Sequence, residues 1–283
     1  MKNGFIIIHY NDSETLIKLL ENIRNYRIID KIVIVDNNSR KEEKDKIREY
    51  INDRVELIEN KENLGFAKAI NQGAKKLIKD LGECNLIVSN CDIEISSEHD
   101  LKGLINYLEK EDIGLLAPTI IENGNLNRGW KNPKPFIDSL MNLPVIHRPL
   151  RKKFILYKDD HYYGNLTNVD VVSGCFFLIS SDTLEKINYL DENTFLYYEE
   201  NILAKKVKNI NLKVTVANDI KVKHNHSVSI NKNVNRINKI KMQRTSGYYF
   251  HKEYNHANIL SRFFYKFTAL IGRGIFRIVY IFK

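Results

Sequence analysis

Apolar and polar positions alternate in blocks along residues 1–95. "GFIIIHY" reads as a buried strand, and "DSETLIKLLENIRNY" comes next with Leu16, Leu19, Leu20 and Ile23 at helical spacing. Asp12 or Ser13 stands where a helix cap is expected. "KIVIVDNNS" predicts a second strand ending in a polar turn, "KEEKDKIREYI" a charged helix and "VELIEN" a third strand. "GFAKAINQGAKKLIKDL" predicts a helix and "CNLIVSNCD" a fourth strand. Such alternation points to an α/β fold with a mostly parallel sheet covered on both faces. After residue 95 the pattern loosens: "DLKGLINYLEK" reads as a helix and "IGLLAPTII" as a strand. Residues 122–168 read as irregular, with all five prolines between 118 and 149 and "KKFILYK" as the one strand-like run. A loop-rich stretch of this kind shapes a substrate site or lid. "VDVVSGCFFLIS" then predicts a strand, "DTLEKI" a short helix, "LKVTVAND" and "IKVKHNHSVSI" two strands, and the rest is mainly helical.

Each early strand runs into a polar segment. His9-Tyr10-Asn11-Asp12 comes after the first, Asp36-Asn37-Asn38-Ser39 after the second, Asn60 to Gly65 after the third and Asn90-Cys91-Asp92 after the fourth. Turn chemistry alone accounts for one such cluster. Four at the same edge fit a ligand site, because open α/β sheets bind ligands beyond the carboxyl ends of their strands.

Length and charge refine this. The 283 residues, 43% hydrophobic, suit one large α/β domain with or without a small appendage. The division expected is a domain over 1–230, with a nucleotide half (1–95) and an acceptor half (96–230), and a helical extension over 231–283. From Lys221 onward there are 13 Lys or Arg and one acid, Glu253, so this part carries +12 of a net +9 and residues 1–220 carry −3. A basic end on a slightly acidic body suggests nucleic acid or an anionic membrane as partner. With "SRFFYKFTALIGRGIFRIVYIFK" as a helix, Arg262, Lys266, Arg273 and Arg277 fall within about 60° of one another. Phe, Leu, Ile, Val and Tyr occupy the other faces, which reads as a helix lying in a membrane interface, with Gly272 and Gly274 weakening or bending it. The alternative is a helix packed on the domain or in a homodimer. The start of the chain reads as a buried strand rather than a secretory signal, and no run reaches the ~18 apolar residues of a membrane span. Cys84, Cys91 and Cys175 lack metal-site spacing and read as reduced, buried residues of a cytosolic protein.

The succession "IIIHYN", "IVIVDNNS", "ENLGFAKAINQGA", "VSNCD", "VSGCFFLISSDTLEKI", "LDENTFLYYEENIL" and "HNHSVS" resembles family 2 glycosyltransferases of the GT-A fold, rhamnosyltransferase-like, over roughly residues 4–250. The resemblance implies inverting sugar transfer from a nucleotide diphosphate donor to a hydroxyl of a saccharide or lipid-linked acceptor. The expected donor is dTDP-rhamnose first and a UDP-sugar next. It implies Tyr10, Asn11, Asp36, Asn38, Asn63, Gly65, Asn71 and Asn90 around the nucleotide, with Gly65 ahead of a helix N-terminus that could face nucleotide oxygens. "SNCD" stands for the family's Asp-x-Asp motif with Asn90 in the first acidic place, so Asp92 is the expected ligand for Mn²⁺ or Mg²⁺. Glu94, two residues on along a strand, is a weaker candidate. His224 fits the family's late histidine over the metal or diphosphate, with His226 the lesser choice. Gly174 and Trp130 are expected on the acceptor side.

In relatives the stretch "FLYYEE" reads aromatic-x-Tyr-x-Glu-Asp, and the second acid is the base. That implies Glu200 as general base and Glu199 as its acceptor-positioning or structural neighbour. Glu for Asp adds one methylene of reach, and Ile202 stands where a further acid is often found. Burial beside a second carboxylate would raise the base's pKa toward neutrality. The resemblance also implies a peripheral site at the inner face of the cell membrane. Three other readings compete. A nucleotidyltransferase would want a Gly-rich basic signature after the first strand, where "HYNDSET" stands. The others are a catalytically impaired nucleotide-sugar-binding or membrane scaffold protein, and a nucleic-acid binder, which the apolar weight of the last helix argues against.

Overall fold

The computed structural model describes residues 1–110, 112–225 and 236–281, with side chains left aside at 236 and 277–281. Three βα units and a fourth strand open the chain: β1 (Lys2–His9), α1 (Ser13–Ile23), β2 (Lys31–Asp36), α2 (Lys41–Arg48), β3 (Val55–Glu59), α3 (Phe66–Leu81) and β4 (Cys84–Asn90). Then come β5 (Ile93–Ile95), α4 (Glu98–Leu108), β6 (Ile113–Glu122), β7 (Asn125–Asn127), α5 (Pro135–Met141), α6 (Pro144–Leu150), β8 (Leu166–Asn168) and β9 (Phe176–Ser180). The remainder is α7 (Ser181–Lys186), α8 (Glu199–Asn209), β10 (Lys213–His224), α9 (Arg236–Glu253) and α10 (Ile259–Ile281).

All the described strands join one sheet in the order β3-β2-β1-β4-β9-β6-β10-β5, with β7 on β6 and β8 on β10. β1 pairs in parallel with β2 and β4, and β2 with β3. β9 enters antiparallel to β4, so the sheet is mixed past its midpoint. Both faces are buried. Phe5 and Ile7 of β1 pack on one side with Leu16 and Leu20 of α1 and Leu101 of α4. Ile6 packs on the other with Ile70 and Leu77 of α3 and Leu203 of α8. This is why the early strands read as unbroken apolar runs rather than alternating ones.

Four expectations change. Prolines open helices here: Pro135 and Pro144 sit in the first turns of α5 and α6, where the missing N–H has no helical partner to lose. "KKFILYK" forms no strand; its first part lies in a π-helical turn, Arg151–Ile155, that continues α6 after Pro149. The run 169–180 is strand only from Phe176; upstream of it Trp130 and Val171 form an isolated antiparallel bridge. Conversely, the two late strands run on as one, β10, as far as His224, with a register shift between Ala217 and Lys221 against β6; residues 226–230 of the second lie outside the described residues.

The end of the chain packs on this body. α10 lies against α5, where Phe264 stacks on Phe136 with ring centroids 5.4 Å apart. A Cβ on Gly272 would sit 2.0 Å from the Asn142 carbonyl oxygen, so this glycine permits close helix approach. The opposite face leaves Phe263, Phe267, Leu270 and Ile271 exposed.

Candidate active site

The turns at the carboxyl edge of the early strands are bound to one another. His9 Nδ1 lies 2.8 Å from Asp36 Oδ1, and the backbone N–H of Asp12 donates to His9 Nε2 at 3.1 Å, which places the imidazole proton on Nδ1. The Ser39 N–H donates to Asp36 Oδ2 at 3.0 Å. Burial alone would raise the Asp36 carboxyl, but the hydrogen bonds from His9 and Ser39 outweigh it and hold its pKa below the ordinary value. Asp36 is fully buried, so its described partners are protein groups that shape the turn. Asn11 and Asn38 take left-handed backbone (φ 53° and 68°), a conformation asparagine tolerates. Asn11 accepts from the Arg40 N–H at 2.8 Å, and half-buried Tyr10 precedes it.

Gly65 lies at φ +84°, and a Cβ there would meet the Phe195 carbonyl oxygen at 2.5 Å. The Asn63 side chain accepts from the Gly65 N–H at 3.0 Å, and the Phe66 N–H donates to Phe195 O at 3.1 Å. The first amide of α3 therefore holds the loop before α8. Asn71, expected beside the nucleoside, is 2% exposed and reaches elsewhere. Its amide donates to Leu190 O at 2.9 Å and Glu192 Oε1 at 2.8 Å and accepts from the Leu190 N–H at 3.0 Å. All three contacts tether that same loop.

At the end of β4, Asp92 Oδ2 faces His224 Nε2 of β10 at 3.1 Å, and Glu122 Oε1 of β6 lies 3.2 Å from His224 Nδ1. Burial would lower the basicity of His224, but Asp92 and then Glu122 outweigh it and raise the pKa. Among the described residues no group of three or more His, Cys, Asp or Glu is arranged to hold a metal by itself. The two carboxylates engage opposite ring nitrogens, so Asp92 and His224 can share an ion at Nε2 while Glu122 fixes the ring from behind. Metal-bound histidines commonly have such a carboxylate behind them. One carboxylate and one imidazole, together with phosphate oxygens, suit Mn²⁺ better than the oxygen-preferring Mg²⁺. Glu94 pairs with Lys223 at 2.9 Å instead. His226 lies outside the described residues.

Beside this edge opens a cavity of about 550 Å³ lined by Asn90, Glu122, Trp130, Gly174, Glu199 and Glu200, with Phe66, Tyr197, Tyr198, His147, Arg151 and Gln243 among the other lining residues. Glu199 is buried and Glu200 half-buried at the first turn of α8. Burial raises both carboxyls, and the nearby Glu200 charge raises Glu199 further. Glu199 Oε2 has no hydrogen-bond partner among the described residues. A Cβ added to Gly174 would lie 4.0 Å from Glu200 Oε2 and 3.8 Å from the Phe66 ring, so this glycine leaves open the space in front of the carboxylate. Cys175, next in the chain, is inert: burial pushes its thiol up to about 12.

Glu199 and Glu200 come directly after two strained residues. Tyr197 and Tyr198 are both left-handed, at φ 73° and 68°. Each costs about 1–3 kcal/mol for a non-glycine residue and persists only where neighbours enforce it. Asp138, which accepts from the Tyr198 hydroxyl, and His251, which meets the same carboxylate oxygen, were not singled out in the sequence.

The sequence of residues 5–188 matches the description "Glycosyl transferase family 2". The chain belongs to that family. The transferase is 25% identical over 226 residues to the low-salt glycan biosynthesis hexosyltransferase Agl10 of Haloferax volcanii, covering 80% of its own length and 67% of the relative's. Its backbone resembles that of GalNAc-T7, solved with UDP, GalNAc and Mn²⁺ (TM-score 0.60, 18% identity, 79% of this chain and 44% of that one). It also resembles mannosyltransferase PcManGT from Pyrobaculum calidifontis, solved with GDP-Man and Mn²⁺ (TM-score 0.59, 13% identity, 91% and 65%). The transferase thus spans less than two thirds of either solved chain. At these identities the likeness establishes the GT-A fold, with the C-terminal helices present.

Proposed function

We propose that the protein transfers a hexose from a nucleoside diphosphate sugar to a hydroxyl of a saccharide or lipid-linked acceptor, with inversion, and that Glu200 is the base. The observation that carries this is the Glu199–Glu200 pair, one buried and one half-buried, on the cavity wall beside Gly174. Carboxyls raised by burial are suited to take a proton near neutral pH. Of the two, Glu200 faces the space in front of Gly174, and its neighbour Glu199 positions the acceptor. The acceptor oxygen bonds to the anomeric carbon as the bond from that carbon to the phosphate oxygen breaks. The hydroxyl proton goes to Glu200, and the bonding pair leaves with the diphosphate.

The turns around Asp36, Asn11, Asn38 and Asn63–Gly65 form the nucleotide side, and Asn90 borders both halves. Tyr10 closes this side next to Asn11. Asp36 and Asn71 act there by fixing turns rather than by direct contact. Trp130 and Gly174 border the acceptor. Asp92 and His224 would hold a divalent cation, which supplies charge neutralisation for the departing diphosphate. The exposed apolar face of the last helix, with Arg262 and Lys266 along its edge, fits an anionic membrane surface at which a lipid-linked acceptor is presented.

The test is a donor panel: dTDP-rhamnose, UDP-sugars and GDP-mannose, each with Mn²⁺ or Mg²⁺. Thermal stabilisation and release of nucleoside diphosphate are both measured. Mn²⁺-dependent stabilisation and turnover with one donor is the expected result. A folded protein that answers none of them would overturn the assignment.

A further inference from the structure

The C-terminal helices were expected as an extension, yet α9 reaches the turn that presents the two glutamates. We propose that Asp138 and His251 are positioning residues for Glu200, acting through Tyr198, so that α9 is a working part of the active site. This rests on Glu200 being the base.

Tyr198 is the last residue before α8 and has left-handed backbone without being glycine. Its neighbour Tyr197 has the same conformation, so local preference opposes the turn twice. The support comes from far away in sequence. The Tyr198 hydroxyl donates to Asp138 Oδ2 of α5 at 2.5 Å. His251 Nε2 of α9 lies 2.7 Å from the same oxygen. Asn255 Nδ2 lies 2.8 Å from His251 Nδ1 and, being an amide nitrogen, donates there, so Nε2 carries the proton given to Asp138. Two donors from different elements thus converge on one buried carboxylate oxygen.

Other contacts from α9 grip the same loop. Ser246 Oγ donates to Leu196 O at 2.9 Å. Tyr249 and Tyr254 hydroxyls donate to Asp191 Oδ2 at 2.8 and 2.6 Å. A Cβ on Gly247 would lie 2.9 Å from the Tyr198 ring and 2.2 Å from the Tyr265 hydroxyl, so the helix meets Tyr198 at a residue with no side chain. Asp138 and Tyr198 line the same cavity as Glu199 and Glu200. A tail that merely covered apolar surface would gain as much from apolar residues at 138 and 251, without burying a polar network. Directional bonds that meet at the Asp138 carboxylate instead fix the Tyr198 hydroxyl, hence where α8 begins and where the Glu200 carboxylate points. An error of about 1 Å at such a group costs about 100-fold in rate.

The test uses the full chain, Mn²⁺ and the nucleotide sugar selected by the donor panel, with water standing in for the acceptor hydroxyl and released nucleoside diphosphate as the signal. Tyr198→Phe removes one hydroxyl and keeps the ring. His251→Phe keeps the volume and removes the donor, and His251→Gln restores an N–H within reach of Asp138. Expected are a fall in kcat of at least about tenfold in Tyr198→Phe and His251→Phe, a donor KM within about twofold of wild type, and recovery of most of kcat in His251→Gln. Wild-type kcat in both folded variants overturns the proposal. So does a parallel loss of kcat, donor binding and Tm that His251→Gln does not recover, which would mark a scaffold contact. Glu200→Gln is the control. An inactive Glu200→Gln beside fully active Tyr198→Phe and His251→Phe sinks the positioning role and leaves the base in place. A fully active Glu200→Gln removes both.

Discussion

Glu199 shows how much a single side chain's surroundings decide. A carboxyl raised in the folded state binds its proton more tightly there than in the unfolded chain. Its contribution to stability is complete below the ordinary carboxylate pKa and is lost as pH rises through the raised value, about 8 for Glu199. Glu199→Gln should therefore match wild type in Tm near pH 4, exceed it at pH 8, and flatten the decline between them; thermal melts across that range check it. An unchanged slope would show that Glu199 is not the group that titrates. The helix start was legible in "YYEE", because acids favour a helix N-terminus, whereas the role given to the pair came from the family resemblance. Asn71 was placed by its position in a motif, but its side-chain partners lie 119 and 121 residues away, at Leu190 and Glu192, and no local pattern specifies them. Asp138 was invisible for the same reason: its partners are 60 and 113 residues distant, and it sits in a proline-rich stretch without periodicity.

Elements were readable where burial is uniform and misread where it is not. The βα units announced themselves because β1, β2 and β4 are apolar on both faces. Residues 122–168 were read as loop because proline ordinarily breaks helices, yet Pro135 and Pro144 open α5 and α6. The two glycines of α10 were read alike, as weak points, but differ in what surrounds them. At Gly272 a Cβ would meet backbone; at Gly274 it would meet nothing within 4 Å. Gly272→Val should cost about 1–3 kcal/mol by overpacking α10 on α5. Gly274→Ala should be neutral or slightly stabilising, since alanine is the better helix former. Denaturant unfolding of both variants tests the pair, and equal effects would contradict the packing described.

At the scale of the molecule, the charge asymmetry read from the sequence has a place. α10 packs inward through Tyr265, Thr268, Ala269 and Gly272 and leaves Phe263, Phe267 and Leu270 in solvent. The packed face answers the reading of a helix docked on the domain; the exposed face is the one to which we assign the membrane contact. No helix among the described residues is long and apolar enough to cross a membrane. Binding to phosphatidylglycerol vesicles is expected to exceed binding to phosphatidylcholine vesicles. It should weaken with added salt, lose about 1 kcal/mol for each of Arg262 and Lys266 replaced by a neutral residue, and fall sharply in Phe263→Ser/Phe267→Ser. Co-sedimentation measures this, and equal binding to both lipids would contradict the role given to the basic edge.

The central claim is that Glu200 takes the acceptor proton. It is tested most directly by measuring donor affinity and transfer rate side by side in Glu200→Gln, a change that keeps shape and removes the base. Donor affinity should stay within about twofold, while transfer falls by about 100-fold or more, the scale of a lost general base. Transfer at the wild-type rate would contradict the assignment.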